Sequence, residues 1–143
     1  MALSELRVSE LLTALGEPTP APASGAAAAL TGAFAASLVE LAARFARAEA
    51  TVARAQALST RLTQLADEDA AAYTAFMQTR SDEARRRTIE VPEEIAEKAD
   101  EVERLAGLLR AQLKSSVAGD AEAAAELARA AARVARRLAE LNA

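Results

Sequence analysis

Between Glu17 and Glu40 the chain carries no charged residue, and the run begins with Pro18, Pro20 and Pro22 before Ser24-Gly25 and the segment AAAALTGAFAASLV. Prolines at alternate positions fix φ and hold each preceding residue extended, so this elbow excludes helix. The alanine-rich segment beyond it is a strong helix former, and a helix apolar on nearly every face must be surrounded by other helices. The chain is therefore committed to a bundle whose central helix runs from about Gly25 to Arg47. Ser24 is positioned to cap that helix, and Gly25 lets another backbone or a ligand approach the free amides of its first turn. Gly32, which costs about 1 kcal/mol relative to alanine in a helix, predicts a tight helix crossing.

The remaining periodicities are also helical. Val8, Leu11, Leu12 and Leu15 predict a short amphipathic helix over residues 4–15, with Ser4 as its cap and Gly16 after its last turn. No glycine or proline forces a break at 48–51, and that boundary stays open. From Leu58 a stripe of Leu58, Leu62, Leu65, Asp69, Ala72 or Tyr73, and Phe76 follows steps of three and four. The polar run 78–88 reads as a loop or exposed turn, Pro92 as the first residue of a new helix, and Ser115-Ser116 as its end. Asp120 is a good cap for a last helix whose seam is Ala124, Leu127, Ala131, Val134, Leu138 and Leu141. With no strand pattern anywhere, the expected fold is all-α, an antiparallel bundle of four to five helices forming one domain over 1–143.

Composition limits the chemistry. Cysteine and histidine are both absent, which removes thiolate nucleophiles, the commonest general base and the usual zinc ligands, so no metal site is expected. Catalysis would fall to carboxylates, Lys98, Lys114, Tyr73, hydroxyls, amides or arginines. A net charge of −4 with mixed signs provides no basic field for nucleic acid. The uncharged run 25–39 is shorter than the roughly 20 residues of a membrane span, and Met1–Glu5 lacks a signal peptide's basic start, so a cytoplasmic protein without membrane contact is expected. A core with 3% aromatics has little bulk per residue, which favours oligomerisation.

Asp69 stands out because it interrupts an apolar stripe. A carboxylate there is costly to desolvate unless an arginine pairs with it, and burial otherwise moves its pKa toward neutrality, as a general base or acid requires. Both readings are open from the residues alone. Arg80, Arg85, Arg86 and Arg87 form either a solvated face paired with Asp82 and Glu83 or a site for a carboxylate-bearing ligand.

Three elements in order carry a resemblance: the proline elbow running into Ser24-Gly25 and an alanine-rich helix, the segment Asp67-Glu-Asp-Ala-Ala-Ala-Tyr73, and the pair Val91-Pro92 followed by Gly119-Asp120 through Asn142. Together they resemble the formiminotransferase-cyclodeaminase C-terminal domain family, which includes methenyltetrahydrofolate cyclohydrolases. The chain differs from the family's pattern in having Ala23-Ser24-Gly25-Ala26 where a triple glycine and serine occur, and in lacking the lysine-containing stretch between the central helix and the acidic segment. The resemblance implies a homodimer acting on formimino- or methenyl-tetrahydrofolate as substrate, with no separate cofactor. It assigns Asp69 as the catalytic acid or base, Pro20, Pro22, Ser24 and Gly25 to substrate binding, Asp120 and Asn142 as secondary polar contacts, and the arginines of 80–87 to the folate's glutamate tail. The rival reading is a non-enzymatic helical homodimer, a scaffold or partner-binding module, in which Asp69 pairs with arginine.

Overall fold

In the computed structural model, which describes residues 1–143, a 3₁₀ turn at Leu3–Glu5 precedes five helices: α1 (Val8–Gly16), α2 (Ser24–Phe45), α3 (Glu49–Thr79), α4 (Asp82–Arg110) and α5 (Ser115–Asn142). The four long helices form an antiparallel bundle. In it α2 packs against α3, α5 and α4, and α4 packs against α5 and α3. The expected all-α architecture is thus observed, and helix boundaries account for most of the differences from the sequence reading.

The first helix begins at Val8, with Arg7 rather than Ser4 before it, and Glu10 Oε1 accepts from the Arg7 amide at 2.8 Å. At 46–48 the chain does turn: Arg47 takes the left-handed conformation at φ 55°, and α3 starts at once. The polar run after Met77 is exposed helix except at Arg80 and Ser81, which connect α3 to α4. Ser81 caps α4 by accepting from Ala84 N at 3.1 Å, and Asp82 and Glu83 lie in the first turn, where the helix dipole favours them. Pro92 consequently sits inside α4 rather than at its start. Ser115 opens α5 instead of closing α4, which places Gly119 and Asp120 in the second turn of the last helix.

Alanines account for 21 of the 33 buried residues, so the helices meet nearly backbone to backbone. Leu58, Leu62 and Leu65 of α3 supply the bulk, and the crossing expected at Gly32 is present: a β-carbon there would lie 3.2 Å from Leu62 Cδ1. Half-buried Arg61 ties α3 to α4, its Nε donating to Glu94 at 2.6 Å and its Nη1 to Glu68 at 2.5 Å. The bulky residues of the end helices face outward. In α5 the buried face is Ala121, Ala124, Ala128, Ala131, Ala132, Ala135 and Ala139, so Ala124 and Ala131 of the expected seam are buried, whereas its Leu127, Val134 and Leu141 are exposed. In α2 the side chains of Phe34, Leu41 and Phe45 are likewise exposed, so the central helix is covered on three sides only. With 22 residues and a mean hydropathy of 1.6 it is long and apolar enough to cross a membrane, but within the bundle its alanine face is the core. Helix α1 buries no residue; the preceding 3₁₀ turn is anchored by Leu3 N donating to Asp67 Oδ1 at 2.8 Å.

Candidate active site

Where the elbow meets α3 and the last turn of α5, a cavity of about 220 Å³ opens to the surface. The elbow side is Pro20, Ala21 and Ala23, followed by Ser24 and Gly25 of α2. Opposite lie Asp69 and Tyr73, one helical turn apart on α3, and Leu138, Leu141 and Asn142 of α5 close the rim. Five of the expected contacts, Pro20, Ser24, Gly25, Asp69 and Asn142, therefore converge from three elements. Pro22 follows a cis peptide bond in the same elbow but does not line the cavity. Asp120 lies elsewhere, because 22 helical residues separate it from Asn142, a distance of roughly 33 Å at 1.5 Å per residue.

Gly25 and Asp69 are in direct apposition. A β-carbon on residue 25 would fall among the carboxyl atoms of Asp69, so only glycine leaves that carboxyl its place. Ser24 does not cap α2, since the capping position is Ala23 and no side chain accepts there. The first helical bond of α2 is Ala27 N to Ala23 O, so the amides of Ser24, Gly25 and Ala26 have no partner within the helix, and of these residues Ser24 and Gly25 line the cavity.

Asp69 makes no hydrogen bond and no ion pair, and desolvation by burial pushes its carboxyl up to about 6. Its neighbours take the partners it lacks. Asp67 accepts from Leu3, while Glu68 binds Arg61 and, at 3.2 Å, Arg87. The arginine pairing weighed for Asp69 is thus absent, and the arginines have found the acid one residue earlier in the chain.

Asn142 is held on two sides. Its Nδ2 donates to the Thr88 carbonyl at 2.9 Å, and its own main-chain carbonyl accepts from Arg85 Nε at 3.1 Å. Its Oδ1 has no protein partner and remains as an acceptor at the rim. Arg85 is the one arginine of 80–87 bonded to Asn142; Arg80 lies over the Phe76 ring at 5.2 Å, and none pairs with Asp82 or Glu83. Of the two residues that the stripe allows after Asp69, Ala72 is buried in the core and Tyr73 lines the cavity. Its spacing of four from Asp69 was the available sign that it shares the cavity. No three acidic side chains converge here or elsewhere in the bundle.

A desolvated carboxyl, unpaired helix amides, a phenol and an amide oxygen around one small cavity can accept a proton, hold a polar atom and orient an N–H donor. Comparison with known proteins gives this arrangement a context. No curated protein matches the sequence. Among solved structures, the formiminotetrahydrofolate cyclodeaminase of Thermotoga maritima superimposes with a TM-score of 0.93 at 22% identity, covering 98% of this chain and 79% of that one. At that identity the likeness is one of fold. The sequence profile of the formiminotransferase-cyclodeaminase family spans residues 7–143, from the residue before α1 to the end of α5 and so across every element that builds the cavity, and the chain belongs to that family.

Proposed function

We propose that the chain acts on a one-carbon tetrahydrofolate, as a cyclohydrolase or cyclodeaminase, at the cavity between the elbow, Asp69 and Asn142. The observation that carries the reading is Asp69: a carboxyl without any protein partner, lifted toward neutrality by burial and given room by Gly25. The cyclohydrolase reaction suits the cavity better, because it asks for one base and places a cation beside a carboxylate. In that reaction Asp69 takes a proton as water adds to the methenyl carbon. The resulting carbinol transfers its hydroxyl proton toward N5 as the C–N5 bond breaks, leaving a formyl group on N10, and Asp69 returns its proton to solvent. The unpaired amides at Ser24 and Gly25 stabilise the oxygen as charge develops on it.

A cavity of about 220 Å³ is smaller than the roughly 300–1,000 Å³ of sites that enclose a drug-sized ligand. It encloses the reacting ring system and leaves the rest of the folate outside. A second copy of the chain supplies the missing wall in this reading, and the exposed bulk of α2 and α5 supports a homodimer. Arg85, beside Asn142, is the nearest partner for the glutamate tail.

The test is turnover of methenyl-tetrahydrofolate by the purified protein, followed by loss of the methenyl absorbance. Hydrolysis above the buffer rate is expected, falling by about 100-fold or more in Asp69→Asn. No binding and no acceleration would remove the folate reading and leave the rival one, a helical homodimer without enzymatic activity, which the outward-facing Phe34, Leu41 and Phe45 favour.

A further inference from the structure

A proline in the interior of a helix has two local effects: it has no N–H to give the carbonyl four residues earlier, and its ring pushes that carbonyl aside. In α4 the proline is Pro92 and the carbonyl is that of Thr88. A buried carbonyl left in this way needs another donor. The donor present is Asn142 Nδ2, at 2.9 Å, from the last turn of α5. Once the amide nitrogen is engaged, the orientation of the side chain is set, and the oxygen is left free at the rim of the cavity. A second contact fixes the same turn, Arg85 Nε to the Asn142 carbonyl, and Arg85 is itself one turn from Thr88, whose hydroxyl donates to the Arg85 carbonyl at 2.6 Å. Thr88 is the one polar residue among the buried residues of the chain, at 4% exposure.

We propose that Pro92 is a positioning residue for the candidate site: by withholding the helical donor from Thr88, it reserves that carbonyl for Asn142 and so presents Asn142 Oδ1 to the ligand as an acceptor. A residue with an N–H at position 92 would close the α4 hydrogen bond, release the Asn142 amide and let its side chain turn. Pro92 touches neither ligand nor reacting atoms in this arrangement. Its influence passes through Thr88 and Asn142. The effect on ligand binding rests on the folate reading above; the coupling of Pro92 to Asn142 does not.

Asn142 is the only asparagine in the chain, so selective ¹⁵N-asparagine labelling yields one side-chain amide pair. In the wild-type protein one of its two protons should exchange with solvent at least tenfold more slowly than a free amide. In Pro92→Ala that protection should be lost while the helical content is unchanged, and the affinity for methenyl-tetrahydrofolate should fall about tenfold, as it should in Asn142→Ala; the double variant should be no worse than either. A freely exchanging Asn142 amide in the wild type overturns the proposal without recourse to any variant, and so does protection that survives Pro92→Ala. If protection responds to Pro92→Ala in a protein that binds no folate, the positioning contact stands and the proposed substrate is wrong.

Discussion

Asp69 is exceptional at the scale of single residues because it would be more comfortable uncharged. Its folded-state pKa of about 6 lies above the ordinary 3.8, so the native state holds this proton more tightly than the unfolded chain does. Stability is therefore lost as pH rises from about 4 to about 6, and the full cost persists above that range. A shift of this size corresponds to on the order of 2 kcal/mol after allowance for partial exposure. Asp69→Asn should accordingly raise the melting temperature at pH 7.5 by roughly 5 °C, with the gain vanishing near pH 4. Thermal melts of the two proteins across that range check it; a variant less stable than wild type at pH 7.5 would mean that the carboxylate has a partner in solution. The position of Asp69 was legible in the sequence, since it interrupts the stripe set by Leu58, Leu62 and Leu65. Its isolation was not, because Glu68 and Asp69 differ by one residue and only the direction each faces on α3 decides which one Arg61 and Arg87 reach.

Among elements, the sequence is informative about interiors and weak about ends. The elbow, the central helix and the Gly32 crossing follow from backbone chemistry that few alternatives satisfy. Neither Pro92 nor Asp120 starts its helix, and for a common reason: each is a good helix-start residue by local rule, and in each case a start five to ten residues earlier is already in place. Ser81 with Asp82 and Glu83 outcompeted Pro92, and the Thr88 carbonyl that Pro92 frees found a partner 54 residues away, which no local pattern reveals. Asn142 was singled out by resemblance, but the bond that orients it had no sequence signature. The α2·α3 crossing offers a measurable test of close packing. Gly32→Ala gains about 1 kcal/mol of helix propensity and forces a methyl to 3.2 Å from Leu62, a side chain with no exposed surface and so no room to yield. Overpacking of this kind costs roughly 1–3 kcal/mol, so the net effect should be a loss of about 1 kcal/mol. It should be visible as a lower urea midpoint at unchanged slope.

On the scale of the whole molecule, the bulky side chains are distributed the wrong way round for an isolated bundle. Alanines fill the interior of α2 and α5, while Phe34 and Phe45, 64% and 63% exposed, stand on the outside with Leu127, Val134 and Leu141. The heptad-like seam of α5 is legible in the sequence, but only its alanines, Ala124 and Ala131, face this chain's own core. A second copy covering these faces would both bury the aromatics and enlarge the small cavity at the elbow. Sedimentation velocity at micromolar concentration should show a dimer, and Phe34→Glu combined with Phe45→Glu should leave a folded monomer with little turnover. The alanine interior also shapes how stability depends on temperature. Methyl groups packed backbone to backbone withdraw less apolar surface from water per residue than a leucine core does, and the heat capacity of unfolding scales with that surface. A chain of this length would ordinarily show about 2 kcal/mol/K. The smaller increment expected here flattens the stability curve, so the margin holding the fold together changes little between a cold and a warm environment.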